Sequence, residues 1–159
     1  MQVYRISLAK WTNKLNASGN KARWSKKGSY VIYTASTRAL ACLENVVHRA
    51  GEGLQQAFKV MVIDIPDNIL TEEILLENLA EGWNKSDDST YDICQAIGED
   101  WLERAKSAIL KVPSSIIQKE SNYLFNINHP DFKKNKIILR LLINSSLKTK
   151  CQYPFSKST

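Results

Sequence analysis

The stretch ARWSKKGSYVIYTASTRALACLEN, residues 22–45, has the pattern of a loop, a strand and a helix in direct succession. Gly28 permits a turn, and residues 29–35 are rich in the aromatic and β-branched side chains that favour strands. Ser36 then has the chemistry of a helix N-cap, and Gly51 that of a helix stop. The pattern therefore predicts a helix that follows the strand almost immediately.

The predicted helix is amphipathic, and its apolar stripe is expected to pack on the core. The residues of the stripe recur at helical spacing: Ala39, Leu40, Leu43, Val46, Val47 and Ala50. At about 100° per residue, Glu44 lies on the flank of this stripe, and His48 follows one turn later on the same side. A carboxylate beside an apolar stripe loses part of its hydration, so Glu44 needs a partner or a chemical task.

The rest of the chain mixes strands and helices without strict alternation. Periodicity and turn residues predict two further helices, over 71–79 and 91–106, and five further strands, over 3–8, 56–66, 108–114, 122–127 and 136–143. Residues 56–66 are apolar on both faces, which predicts a central strand, and Trp24 and Trp101 are predicted to be core residues. The order of elements predicts a single α+β (mixed α/β) domain over residues 1–159, with a mixed or largely antiparallel sheet.

The composition is that of an ordinary globular domain with an excess of positive charge. A net charge of +6 could attract a phosphorylated small molecule, an acidic partner or nucleic acid, or it could belong to a solvated surface. No basic stripe interleaved with aromatic residues supports direct nucleic-acid binding, and no run approaches the roughly 20 apolar residues of a membrane span. The three cysteines are widely spaced, which disfavours disulfides or a zinc site and favours a reducing cytoplasm.

Several common catalytic motifs are missing from the sequence. It has no GxGxxG, GxxxxGK[ST], GxSxG or HExxH, which disfavours a Rossmann cofactor site, a P-loop, an α/β-hydrolase and a zincin. An arginine, a tyrosine and a glutamate could instead serve one nucleotide, through phosphate binding, stacking and stabilisation of a nearby cation respectively. Residue types alone make this a weak signal, because single residues of these types usually serve fold or surface.

Six segments in a fixed order give a much more specific signal. Together they resemble the RES-domain family, and the resemblance covers Val3 to Phe132. The segments are VYRI (3–6), ARWSKKGSYVIYTA (22–35), TRALACLENVVH (37–48), AIGEDWL (96–102), KVPSSI (111–116) and NYLFNINHPDF (122–132).

The resemblance implies both a fold and an activity. The fold would be like that of ADP-ribosyltransferase domains, with central β-sheets flanked by helices. The protein would be the toxin of a bacterial type II toxin–antitoxin system that depletes cytoplasmic NAD⁺ by cleaving its nicotinamide–ribose bond. NAD⁺ would be the substrate, water or inorganic phosphate the acceptor, and no metal or cofactor would be needed. The partner would be an Xre-type helix-turn-helix antitoxin whose C-terminal part covers the active site.

The resemblance also implies three catalytic residues. The arginine of the family's GRW motif falls on Arg23, its strand tyrosine on Tyr33 and its helix glutamate on Glu44. Arg23 would clamp the pyrophosphate, Tyr33 would stack on or orient the nicotinamide, and Glu44 would hold the ribose and stabilise its positive charge.

Three more residues are expected to bind the substrate by the same resemblance. The first-strand arginine falls on Arg5, the serine of VPS on Ser114 and the asparagine of NYL on Asn122. Other interpretations stay open for each. Arg5 could pair with a carboxylate at the sheet edge, and Ser114 and Asn122 could bond to the backbone of their own turns.

Two departures from the family pattern leave other functions open. Lys21 and Ala22 stand where glycines are usual, so the loop must avoid positive φ or accept strain. The ending CQYPFSKST, residues 151–159, lacks the family's Asp-x-Arg pattern. One alternative is transfer of ADP-ribose to a macromolecule, and another is an inactive module that acts only in a repressor complex with the antitoxin.

Overall fold

Seven strands form one sheet in the computed structural model, which describes residues 1–48, 57–133 and 138–141. In chain order the strands and helices are β1 (Gln2–Leu8), β2 (Val31–Ala35), α1 (Arg38–His48), β3 (Phe58–Asp64), β4 (Thr71–Glu73), α2 (Asp88–Arg104), β5 (Ile109–Pro113), β6 (Ser121–Asn126), α3 (Pro130–Lys133) and β7 (Ile138–Leu141). The strand order is β4-β5-β6-β2-β1-β3-β7, and only β4 and β5 run parallel. The predicted α+β class and the largely antiparallel sheet are confirmed.

The sheet is weakest between β1 and β2. β1 pairs with β3 from Gln2 to Leu8, whereas β1 and β2 share only the pair Tyr4–Ala35. On its other side, β2 pairs with β6 along its whole length. The sheet therefore consists of two well-paired halves that diverge from each other at its middle.

Apolar side chains cover both faces of the sheet. One cluster includes Val3, Ile32 and Phe125, and a second includes Trp24 and Trp101 together with other residues packed under α2. The prediction that both tryptophans belong to the core is confirmed, since each is almost completely buried. β3, the strand predicted to be central, lies between β1 and β7 and is buried along most of its length.

The start of α1 differs by one residue from the prediction. The hydroxyl of Thr37 accepts a hydrogen bond from the backbone N–H of Leu40 at 3.0 Å, so Thr37 is the capping residue and the prediction of Ser36 is wrong. Gly51, the predicted stop, lies outside the described residues.

The predicted packing face of α1 is also wrong. Leu40 is buried, but Leu43, Val46 and Val47 are exposed in the described part of the chain. The helix is instead turned so that Leu40 and Ala41 pack on Tyr4, Ile6 and Ala35 of the two central strands. Because of this rotation, the flank that carries the polar residues faces the gap in the sheet.

The helix predicted over residues 71–79 does not form. Thr71–Glu73 is instead the edge strand β4, and a short 3₁₀ helix covers Leu76–Asn78. The reason is long-range pairing, since the backbone N–H of Ile74 bonds to the carbonyl of Lys111, beside the ladder between β4 and β5.

The second long helix forms, but it starts earlier than predicted. Asp87 caps α2 by accepting from the backbone N–H of Thr90 at 2.9 Å. Ile93 is exposed, whereas Cys94 and Gly98 face the interior and are buried. No helix in the described ranges is long and apolar enough to cross a membrane.

Candidate functional site

A cleft of about 460 Å³ opens where β1 and β2 diverge, which is a size that suits a small-molecule ligand. Its lining residues come from β1, β2, β6, α1, α2 and the loops around them: Tyr4, Arg5, Ile6, Lys21, Ala22, Arg23, Trp24, Tyr33, Thr34, Ala35, Ala41, Glu44, Asn45, His48, Tyr91, Ser115 and Asn122. Five of the six residues expected to form a site therefore share one cleft. The sixth, Ser114, is fully buried and contacts Glu44.

Glu44 is held by donors from three parts of the chain. Its Oε1 accepts from Nδ2 of Asn122 at 2.7 Å and from Oγ of Ser114 at 2.9 Å. Its Oε2 lies 2.9 Å from Nε2 of His48, one helical turn away. Only 16% of the Glu44 side chain is exposed, so these contacts fix a largely desolvated carboxylate in one orientation.

Two opposing effects act on the pKa of Glu44. Burial raises it, but the hydrogen bonds from His48, Asn122 and Ser114 favour the ionised form, and the net result is a pKa below the usual value for glutamate. Glu44 is therefore negatively charged at neutral pH. A fixed negative charge in a cleft suits the stabilisation of a cation rather than the donation of a proton.

Ser114 combines a turn with a contact to Glu44. Its Oγ donates to Oε1 of Glu44 and accepts from the backbone N–H groups of Ile116 at 3.1 Å and Ile117 at 3.2 Å. These three bonds use the full capacity of a hydroxyl, which is one donor and two acceptor sites. The interpretation of Ser114 as a turn residue is therefore correct, and the turn also orients its hydroxyl toward Glu44.

Arg23 forms part of the cleft wall. Its Nη1 donates to the carbonyls of Trp83 at 2.8 Å and Lys85 at 3.1 Å, and its Nη2 donates to the carbonyl of Asn84 at 3.2 Å. The guanidinium lies 4.5 Å from the centroid of the Tyr91 ring, and only 7% of the residue is exposed. These bonds use three of the five N–H groups, which leaves one on Nη2 and the buried Nε–H, an atom without a hydrogen-bond partner among the described residues. A pyrophosphate clamp by Arg23 stays a prediction.

Tyr33 offers its ring to the cleft while its hydroxyl is bonded to the neighbouring loop. The hydroxyl accepts from the backbone N–H of Trp24 at 3.2 Å and lies 2.9 Å from Oγ of Ser25. Burial raises the pKa of Tyr33 well above its usual value. The hydroxyl therefore stays protonated and is bonded to the loop of Trp24 and Ser25. The ring is the part of Tyr33 that is available for stacking.

The loop that carries Arg23 needs no glycine at positions 21 and 22. Ala105 is the one non-glycine residue with a positive φ in the described ranges, so Lys21 and Ala22 avoid the left-handed region without strain. The side chain of Gln95 on α2 donates to the carbonyl of Ala22 at 2.8 Å and holds the loop from behind.

Helix α2 approaches this loop so closely that Gly98 has no room for a side chain. A Cβ at Gly98 would lie 1.8 Å from the carbonyl oxygen of Trp24, which is far inside contact distance. Gly98 is therefore required by packing, and α2 is the rigid support on which the loop rests.

Arg5 reaches the cleft through the gap in the sheet. Successive side chains of a strand point to opposite faces, yet Tyr4 and Arg5 both line the cleft. Within the described residues, Arg5 has one hydrogen bond, from Nη1 to the carbonyl of Asn16 at 3.0 Å, and no carboxylate at ion-pair distance. Burial lowers its pKa. A guanidinium with spare donors and reduced hydration is well suited to bind an anion.

Sequence reasoning missed Tyr91 and placed His48 beside Glu44 without giving it a role. Tyr91 lines the cleft and stacks on Arg23, although nothing local in the sequence marks it. His48 also lines the cleft, and its spacing from Glu44 is the sequence signal that marks it.

His129 lies outside the cleft, and its Nδ1 accepts from the backbone N–H of Asp131 at 3.1 Å, in keeping with a turn residue. No group of three potential metal ligands occurs in the described ranges.

Residues 2–151 match the family model described as RES domain, and the chain therefore belongs to the RES-domain family. A protein of Sphingobium sp. (strain YBL2) named "Prs ADP-ribosylating toxin" is 38% identical over 124 residues, which are 75% of this chain and 76% of that protein. "Toxin Res" of Photorhabdus laumondii subsp. laumondii is 34% identical over 139 residues, which are 84% of this chain and 86% of that protein.

The fold also resembles a solved structure, the crystal structure of the M. tuberculosis MbcT–MbcA toxin–antitoxin complex. The matching chain has a TM-score of 0.68 and 18% sequence identity, and the match covers 87% of this chain and 80% of that one. At this level of identity the similarity supports the fold alone.

Proposed function

We propose that this protein is the toxin of a toxin–antitoxin system and that it cleaves the nicotinamide–ribose bond of NAD⁺. The names of the related proteins support the toxin role. The observation that carries the chemistry is Glu44, a carboxylate kept ionised and oriented by three donors inside a cleft of small-molecule size.

The proposed reaction needs a negative charge at one position. When the bond breaks, nicotinamide leaves as a neutral molecule, and the ribose develops positive charge of the oxocarbenium type. A carboxylate already oriented and already ionised stabilises this charge without having to reorganise. Glu44 would provide that carboxylate, and it would also accept a hydrogen bond from a ribose hydroxyl.

The other cleft residues would bind and orient NAD⁺. Arg5 has donors left for the pyrophosphate, and the ring of Tyr33 offers an apolar face against which nicotinamide can stack. Arg23 would act mainly by building the wall of the cleft, because most of its donors are bonded to main-chain carbonyls. The reaction as proposed uses NAD⁺ as substrate and needs no metal or further cofactor.

The acceptor of the ADP-ribose distinguishes the main proposal from a second candidate. With water or inorganic phosphate as acceptor, the reaction would only deplete NAD⁺, whereas a macromolecular acceptor would make this chain a transferase. The name of the Sphingobium relative, which is 38% identical, favours transfer. Both reactions begin with the same bond cleavage and need the same Glu44.

The proposed partner is an Xre-type antitoxin that covers the cleft in the cytoplasm. The toxin names of the relatives favour an antitoxin as partner, and the chain with the similar fold was solved in a toxin–antitoxin complex. A net charge of +6 is also compatible with an acidic or carboxylate group placed in the cleft by the partner. Co-purification with the product of the neighbouring gene tests this part of the proposal.

Product analysis of NAD⁺ incubated with the purified protein tests the reaction. Chromatography with and without inorganic phosphate separates ADP-ribose from its phosphorylated form, and labelled NAD⁺ in a cell extract detects transfer to macromolecules. We expect release of nicotinamide in all cases. A protein that is folded and leaves NAD⁺ intact under all these conditions would contradict the proposal and favour the inactive repressor module.

A further inference from the structure

We propose that His48 is a positioning residue that aims Oε2 of Glu44 at the substrate through a single hydrogen bond. This inference rests on the proposed function, because it concerns the carboxylate that stabilises the ribose cation. Neither the family motifs in the sequence nor the names of the relatives assign a role to His48.

The two oxygens of Glu44 are held in different ways. Oε1 accepts from both Ser114 and Asn122, which belong to the connection after β5 and to β6. Within the described residues, Oε2 has one hydrogen-bond partner, Nε2 of His48 at 2.9 Å. Oε1 is thus occupied twice, and Oε2 is the oxygen with capacity left for a ribose hydroxyl or a cationic carbon. His48 determines where that oxygen points.

His48 also differs from the other two donors in its surroundings. Ser114 is fully buried, whereas 57% of the His48 side chain is exposed while it lines the cleft. The contact follows from helix geometry, because residues four apart on α1 lie one above the other. Two of the three donors therefore belong to β6 and to the connection after β5, and the third lies at the border between Glu44 and solvent.

The positioning role depends on an N–H group and needs no charge. Nε2–H donates both in the imidazolium and in the neutral ring that carries its proton on Nε2. A glutamine at position 48 can present an amide N–H to the same oxygen, whereas a leucine cannot. Loss of a hydrogen bond to a charged group corresponds to about a 10- to 100-fold change in rate. We expect this loss in kcat, with little change in KM.

The same bond affects the pKa of Glu44. The hydrogen bond from His48 is the largest of the effects that hold this pKa below its usual value. Removing it raises the pKa of Glu44, so the acid limb of kcat/KM moves to higher pH. The other charged or titratable side chains lining the cleft, Tyr4, Arg5, Lys21, Arg23, Tyr33 and Tyr91, are unchanged in such a variant, so the shift reports on the pair of Glu44 and His48.

The test compares His48→Leu, His48→Gln and wild type in steady-state release of nicotinamide from NAD⁺ across pH. The control is Val47→Gln, an exposed position on the same helical turn that does not line the cleft. We expect His48→Leu to lose kcat about 10- to 100-fold and to shift its acid limb upward. His48→Gln should recover most of kcat, and Val47→Gln should behave as wild type.

Two results would overturn the role of His48 while leaving the proposed function intact. One is a His48→Leu protein with the kcat and acid limb of wild type. The other is an equal loss in His48→Leu and His48→Gln, which would mean that the imidazole itself takes part in the reaction. Absence of nicotinamide release by wild type would instead count against the proposed function.

Discussion

Arg23 and Glu44 line the same cleft, but their partners differ in kind. Arg23 donates to the main-chain carbonyls of residues 83–85 and is almost completely buried. Glu44 accepts from the side chains of Ser114, Asn122 and His48, and one of these borders solvent. Main-chain contacts cannot be exchanged for a ligand unless the loop moves, whereas Oε2 of Glu44 has capacity to spare. Arg23 therefore builds the cleft, and Glu44 is available for chemistry.

The largest effect is expected from Glu44→Gln, which removes the negative charge and preserves the shape. Nicotinamide release should fall about 10²- to 10³-fold, the usual effect of removing one group that stabilises a transition state electrostatically. The comparison is with Glu77→Gln, an exposed glutamate on the short 3₁₀ helix, which should keep full activity. An active Glu44→Gln protein would show that Glu44 has no electrostatic role.

Gly98→Ala tests whether α2 supports the loop that carries Arg23. The new Cβ meets the carbonyl of Trp24, so either the helix or the loop must shift, at a cost of about 3 kcal/mol in the free energy of unfolding. Urea unfolding measures this loss. Ala96→Ser, at an exposed position on the same helix, should change stability by less than about 0.5 kcal/mol. Equal stabilities of Gly98→Ala and wild type would argue against this close packing.

Arg23→Lys tests whether Arg23 stabilises the wall of the cleft or binds the phosphates of the substrate. Lysine keeps the charge, but its single ammonium cannot reach three carbonyls in the planar arrangement of a guanidinium. We expect a loss of about 2 kcal/mol in the free energy of unfolding. Arg38→Lys, at an exposed position on α1, is the matched control. If Arg23→Lys instead unfolded like wild type and only raised KM, Arg23 would be a ligand of the substrate.

Tyr33→Phe tests whether the hydroxyl of Tyr33 stabilises the loop while its ring serves the substrate. The change leaves the N–H of Trp24 and the Oγ of Ser25 without this partner, and the expected loss is about 1.5 kcal/mol in the free energy of unfolding. Nicotinamide release should stay within a few-fold of wild type, because the ring remains. Tyr30→Phe, with an exposed tyrosine, is the control. A loss of activity comparable to that of Glu44→Gln would instead give the hydroxyl a direct role.

The smallest effect is expected from Ala105→Gly at the far end of α2. Ala105 has a φ of 45°, in the left-handed region that glycine adopts without strain. The free energy of unfolding of the variant, measured by thermal unfolding, should be higher by up to about 1 kcal/mol, and nicotinamide release should stay unchanged. A gain in stability that also altered activity would mean that the two properties are coupled through α2.

Local patterns in the sequence predict the elements of this fold well. Alternation marks β1, aromatic and β-branched side chains mark β2, and the spacing of Glu44 and His48 on one helix side already predicts that they can meet. These features depend on neighbours within a few residues. The helix predicted at 71–79 fails because pairing with β5, far along the chain, determines its conformation.

Local sequence patterns do not predict which groups the site residues contact. Arg23 contacts a loop some sixty residues away in sequence, and nothing near it marks carbonyls as its partners. The rotation of α1 is another case, since close packing of Ala41 on the central strands leaves Leu43 exposed. An apolar stripe indicates which residues can be buried, but the shape of the opposing surface decides which ones are.

The contrast between Arg23 and Glu44 is tested most directly by measuring urea unfolding and nicotinamide release side by side for Arg23→Lys and Glu44→Gln. We expect Arg23→Lys to lose about 2 kcal/mol of stability, and Glu44→Gln to stay within about 1 kcal/mol of wild type, because its carbonyl can still accept from Ser114 and Asn122. Glu44→Gln should nevertheless be the less active protein. A Glu44→Gln protein that is active, or that loses activity only because it unfolds, would contradict this account.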